Sequence, residues 1–147
     1  QALRVREEEF RPQGRLAMGV RGIRLAAGDR VVGCVVLQDT LDILLISEKG
    51  VGKRTSCLEF PVHHRGGGGI RAMRLGDRTG ELVGSWGVLP EDEVVVISSR
   101  GRMVRQSVSG IPRLSRVATG SILVRLDEGD SVSDVSVVVE TACDVEV

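Results

Sequence analysis

Three aromatic side chains, Phe10, Phe60 and Trp86, serve a chain of 147 residues, and tyrosine is absent. Proteins that hold single-stranded nucleic acid stack bases on aromatic platforms, so that mode is disfavoured. Cysteine is equally scarce: Cys34, Cys57 and Cys143 are odd in number and far apart. This argues against a disulfide framework and for a reducing compartment, with the cytoplasm as the expected location. The only histidines, His63 and His64, share one loop, so no Ser/His/Asp or Cys/His arrangement can be selected for nucleophilic catalysis. Without a Cys-x-x-Cys or paired-His spacing, no metal site is expected either, and no cofactor. No apolar run approaches the ~18 residues of a membrane span and no charged-then-apolar leader opens the chain, so a membrane is not an expected partner.

What is present is uneven. Lys and Arg number 20, as do Asp and Glu, but all the bases lie in residues 1–126 with 13 acids, leaving +7 there. Residues 127–147 carry seven acids and no base. A basic body with an acidic tail points to an anionic partner more strongly than overall neutrality points away from one. Valine supplies 24 residues, and no stretch has apolar residues at helical spacing, which predicts a fold that is almost wholly β.

The chain also repeats itself. Gly19-Val-Arg-Gly-Ile-Arg-Leu25 recurs as Gly69-Ile-Arg-Ala-Met-Arg-Leu75 and as Gly120-Ser-Ile-Leu-Val-Arg-Leu126, while Asp42–Gly50 matches Glu93–Gly101, Arg54 matches Arg105, and Glu9-Phe10 matches Glu59-Phe60. Each repeat reads as four strands. The first is the Gly-to-Leu segment and the second is Arg30–Leu37, answered by Glu81–Leu89 and Ser131–Val139. The third is the apolar run Ile43–Ile46 or Val94–Ile97, near-continuous enough to suit a strand covered on both faces and followed by a hairpin glycine. The fourth begins near Lys53 or Arg102. A period of about 50 residues with four strands predicts propeller-like blades. The expected organisation is a partial disc over 1–139, with units near 1–41, 42–92 and 93–139, and an acidic tail at 140–147. The span from Leu3 to Val139 has the look of an excised arc of about three four-stranded blades, whose unpaired edge a partner, the missing blades or a second copy should cover.

These residues resemble the C-terminal domain of the DNA gyrase A subunit. The resemblance rests on Gly19–Gly33, on Gly50–Thr55, on Glu59-Phe60-Pro61 and on Gly120–Leu126, in the family's order and spacing. It implies a β-pinwheel whose basic rim bends duplex DNA, of which this chain would be the last three of six blades. The chain itself would not be an enzyme but part of an ATP-dependent topoisomerase, near the nucleoid, and its partners would be the B subunit together with the remainder of the A subunit. The topoisomerase IV subunit is similar enough to stay open. The family's signature loop, Gln-Arg-Arg-Gly-Gly-(Arg/Lys)-Gly, aligns with His63, His64, Arg65, Gly66, Gly67, Gly68 and Gly69. Arg65, Gly66, Gly67 and Gly69 match, so this is a degenerate copy; Leu114–Gly120 is a weaker one.

Gly50-Val-Gly-Lys53-Arg54-Thr55 superficially suggests a phosphate-binding loop, but Ser47 stands where the first glycine belongs and a strand follows. It reads instead as a basic hairpin with Lys49, Lys53 and Arg54 exposed. With Arg15, Arg21, Arg65, Arg71, Arg100, Arg102, Arg105, Arg113 and Arg116, these bases sit at turns and loops, and make up the expected belt for a bent phosphate backbone. Arg24, Arg74 and Arg125 recur before the last Leu of the first segment, which suits a scaffold pairing with a carboxylate such as Asp29 or Asp130. Phe10 and Phe60 are expected in the core, Trp86 in a gap between blades, and the cysteines as small buried hydrophobes. A protein-interaction module whose basic loops meet acidic protein surfaces remains the rival reading. The tail, through Glu140, Asp144 and Glu146, is expected to compete with phosphate for the basic body or merely to aid solubility.

Overall fold

In the computed structural model, which describes residues 1–39 and 41–139, the β-branched runs pair as antiparallel strands and no α-helix is present among the described residues. The acidic tail lies outside them. The strands are β1 (Asp42–Ser47), β2 (Val51–Ser56), β3 (Leu82–Val88), β4 (Glu93–Ser98), β5 (Met103–Ser107), β6 (Ser121–Ile122) and β7 (Val132–Val138). They form a four-stranded sheet in the order β3-β1-β2-β6 and a three-stranded sheet in the order β5-β4-β7.

The repeat is legible bond by bond. Gly50 and Gly101 donate to Ser47 and Ser98 carbonyls at 3.0 Å each, with φ of 75° and 83°, which turns β1 into β2 and β4 into β5 at residues free to adopt that conformation. Three short 3-10 turns follow the fourth-strand segments at Glu7–Glu9, Cys57–Glu59 and Val108–Gly110. The Gly52–Ser121 pair of β2 and β6 has its counterpart in the bridge from Ala2 to Ile70, and the Arg54–Arg113 bridge has its counterpart in Arg4–Val62.

One strand crosses between units. β1, β2 and β3 come from residues 42–88, but the fourth strand of their sheet is β6, from the following unit. The Gly-to-Leu segment of each unit therefore docks on its predecessor, as Ile70 does on Ala2. The sequence suggested full strands at Gly19–Leu25 and Arg30–Leu37; the structure has none there. In both sheets the second-type strand pairs with a β1-type strand, and residues 1–41 contain no such strand for Arg30–Leu37 to join.

The core follows from this layering. Every residue of β1 is buried, and its two faces enter two different clusters. Leu44 and Ile46 pack with Val88, Val94, Val96, Val132 and Val135 between the sheets, while Ile43 and Leu45 pack with Cys57, Phe60, Ala72 and Met73 on the other side. Trp86 lies half-buried against the first cluster, at the junction of the two sheets. β4 instead alternates, with Val94 and Val96 buried and Val95 and Ile97 half-buried, because a second sheet covers only one of its faces. Phe60 is buried, but its repeat equivalent Phe10 is 41% exposed, since no β1-type strand stands beside it. Of the cysteines, Cys57 is buried as expected and Cys34 is exposed; Cys143 lies outside the described residues.

Candidate nucleic-acid interface

The side chains of β2 alternate between faces, and this decides the fate of the Gly50–Thr55 hairpin. Lys53, expected to be exposed, is fully buried. Its Nζ donates to the Ser115 and Arg116 carbonyls at 2.7 and 2.8 Å. Burial pushes the ammonium down to about 8; nearby Glu59 opposes the fall and Arg116 adds to it. Thr55 Oγ1 donates to the Leu114 carbonyl at 3.0 Å, so two side chains of one strand hold the loop after the last 3-10 turn.

Arg54 is also structural. Its Nε donates to the Ile111 carbonyl at 2.8 Å and its Nη1 lies 3.3 Å from Asp42 Oδ2, on a carboxylate that Arg113 Nε reaches at 3.0 Å. One unit on, Arg105 holds Glu93 in the same diagonal relation across β4 and β5, with its Nε 2.7 Å from Oε2. Lys49 Nζ donates to the Asp77 carbonyl, and Arg102 Nη1 to the Arg125 carbonyl at 2.6 Å.

The degenerate signature loop, His63–Gly69, faces solvent at His63, His64 and Arg65. Glu9 organises it: its Oε1 lies 2.9 Å from His64 Nδ1 and its Oε2 accepts the Arg65 backbone N–H at 2.9 Å. That N–H holds the Glu9 carboxyl below its ordinary value, with His64 contributing. The stabilisation is therefore present above the ordinary glutamate range and is lost as pH falls through the lowered value. We expect the protection of the Arg65 amide, its exchange rate relative to the intrinsic rate at each pH, to fall on acidification across that range in the native chain and to stay constant in Glu9→Gln, as read by NMR. A pH profile identical in both would dissociate Glu9 from the loop.

Four of the twelve bases named from sequence are exposed and make no side-chain hydrogen bond or ion pair with the described residues: Arg15, Arg21, Arg71 and Arg100. The other eight have protein partners. The periodic arginines reverse their expected role. Arg24, Arg74 and Arg125 are exposed and pair with no carboxylate among the described residues. Asp29 accepts from the Arg30 backbone, and Asp130 from Ser99 Oγ at 2.8 Å and from the Arg100 and Ser131 backbones. The Ser98 hydroxyl is the largest influence drawing the Asp130 carboxyl down to about 2, and Ser99 and the two backbone N–H groups add to it. The loops thus turn Arg21 and Arg24, Arg71 and Arg74, and Arg125 outward from equivalent segments.

Comparison with known proteins gives concordant results. The family model described as DNA gyrase C-terminal domain, beta-propeller, matches residues 1–38, 41–85 and 92–138. The DNA gyrase A subunit of Aminobacterium colombiense is 57% identical over 138 residues, covering 94% of this chain and 17% of that protein. Its Salmonella typhimurium counterpart is 35% identical over 144 residues, covering 98% and 16%. The chain thus spans about a sixth of the length of these relatives. A solved structure of a DNA gyrase A C-terminal domain superposes with a TM-score of 0.82 at 26% identity, covering 89% of this chain and 45% of that one. The C-terminal domain of a DNA topoisomerase IV gives the same TM-score at 22% identity over 89% and 41%, which speaks for the fold alone.

Proposed function

The chain belongs to the family of DNA gyrase C-terminal β-propeller domains, and from that membership we propose that it is a non-catalytic module that binds duplex DNA and bends it for a type II topoisomerase. The supporting observation is that Arg15, Arg21, Arg71 and Arg100, joined by Arg24, Arg74 and Arg125, are exposed and make no side-chain hydrogen bond or ion pair with the described residues. A guanidinium already donating to a carbonyl has fewer N–H groups left for phosphate, so these seven are the stronger candidates. Binding should be tolerant of sequence, because phosphate contacts position a protein without reading bases. In this proposal the partners are the B subunit together with the remainder of the A subunit, within an ATP-dependent enzyme of the cytoplasm, and the repeat units run near 1–41, 42–92 and 93–139. The 57% identity to a gyrase relative favours gyrase over topoisomerase IV.

A salt titration of duplex binding tests this. Each neutralised phosphate contributes about −0.9 to the slope of log K against log salt, so replacing Arg21, Arg71, Arg74 and Arg100 by alanine should flatten the slope by up to about 3.6. A random-sequence duplex and an unrelated one should respond alike. An unchanged slope would remove these arginines from the interface, and failure of the parent chain to bind duplex would favour an acidic protein partner instead.

A further inference from the structure

Two loops, one unit apart, are fastened by the same three groups. In the first, Glu9 Oε2 accepts the Arg65 N–H at 2.9 Å, and Arg65 Nη1 donates to the Arg21 carbonyl at 3.4 Å. In the second, Glu59 Oε2 accepts the Arg116 N–H at 2.7 Å, and Arg116 Nη1 donates to the Arg71 carbonyl. The glutamates close equivalent 3-10 turns, and Arg21 and Arg71 occupy equivalent places in the Gly-to-Leu segments. Further main-chain bonds run in parallel: Arg24 N–H to the Gly67 carbonyl at 2.8 Å and Arg74 N–H to the Ala118 carbonyl at 3.3 Å. The arrangement recurs although the loop sequences differ, four glycines in one against Val117-Ala118-Thr119-Gly120 in the other. At the next repeat position Gly110 replaces the glutamate.

In both copies the arginine spends a guanidinium donor on the main chain of the preceding unit, and its own N–H is fixed by a carboxylate of that unit. Both bonds cross from one unit to the next, so each arginine joins its loop to the segment that carries the neighbouring outward arginines. We infer that Arg65 and Arg116 are positioning residues: with Glu9 and Glu59 they clamp each inter-sheet loop to the preceding Gly-to-Leu segment, and they set the stance of Arg21, Arg24, Arg71 and Arg74 rather than meeting phosphate themselves. The part of this that concerns phosphate rests on the DNA-binding reading; the clamp does not. Lys53 supports the second loop from beneath through the Ser115 and Arg116 carbonyls, whereas Leu3 takes the corresponding place under the first and lies beside Gly67. The second clamp is thus the more polar and the better one to test.

Hydrogen exchange without DNA reads the clamp alone. Arg116→Ala and Glu59→Ala should each speed exchange of the amides in 114–119 by about tenfold, the scale set by one charge-assisted hydrogen bond, while the β4 amides keep their protection. Glu59→Gln, which retains an acceptor oxygen, should restore most of the protection; this conservative variant also serves if an alanine variant folds poorly. In the duplex titration Arg116→Ala should lower affinity several-fold with the salt slope unchanged, because a phosphate contact would flatten it by about 0.9. Unaltered loop exchange in both alanine variants overturns the clamp. A flattened slope in Arg116→Ala overturns the positioning role and makes the residue a contact. If the parent chain binds no duplex, the exchange result stands and only the DNA-binding reading fails.

Discussion

Truncating Leu44 to alanine is expected to remove about 3–4 kcal/mol of stability, a large share of the roughly 5–15 kcal/mol typical of a folded domain. Leu44 is fully buried in the middle of β1 and packs between the two sheets with Val94, Val96 and Val135. The loss combines the transfer of the missing carbons with a cavity that two facing sheets cannot close without sliding past each other. Val95 provides the control. It occupies the same repeat position as Leu44, yet it lies on the face of β4 that no sheet of the described residues covers and is only half-buried. Val95→Ala should therefore cost about 1 kcal/mol or less. Urea midpoints of the two variants measure the contrast, and equal losses would mean that the clusters do not divide as described.

The second large effect concerns Lys53. Lys53→Ala leaves the Ser115 and Arg116 carbonyls without their donor and opens a hole beneath the loop, which should cost about 2–4 kcal/mol at neutral pH. Its dependence on pH carries a distinct signature. Burial lowers the folded ammonium to about 8 against an ordinary 10.5, so between those values the unfolded chain binds the extra proton. Stability then rises with pH through that window, by on the order of 3 kcal/mol, and the cost of burying the charge is fully present below about pH 8. The neutral amine still has N–H groups for both carbonyls, so the loop remains attached after deprotonation. Denaturant melts at pH 7 and pH 10 should show the gain in the parent chain and not in Lys53→Ala. A gain of equal size in both would assign it to another group.

Local signals made much of this legible from sequence. The β1–β2 and β4–β5 hairpins were readable because a short apolar run and a turn glycine are contiguous in the chain, and the all-β architecture because valine dominates without helical spacing. Pairing was less accessible: β6 joins β2 from about 70 residues away, and nothing in Ser121-Ile122 names its partner. Charge misled at Lys53, since lysine beside arginine after a glycine-rich turn suggests a solvated hairpin. A usable signal existed in the repeat itself, where the corresponding positions are Leu3 and Val104, apolar in both neighbours. The same comparison cannot find the carboxylate partners of Arg54 and Arg105, which depend on a diagonal across two strands. Nor does it foretell that Arg24, Arg74 and Arg125 meet no carboxylate among the described residues, because periodicity marks a recurrent position and is silent on which way the side chain turns.

The strand that each unit lends to its predecessor also constrains how such a chain can be lengthened or shortened. In a stack of self-contained repeats, one period can be inserted or deleted and the neighbours close up. Here the removal of residues 93–139 would take a whole sheet and also strip β6 from the edge of the sheet before it, exposing the N–H and C=O groups of β2 at Val51 and Gly52. A cut after Leu126 would instead leave β6 on β2 and keep that edge paired, while removing β7 from the second sheet. The place of a cut thus decides which sheet loses a strand, because a boundary drawn by the sequence period is not a boundary between sheets.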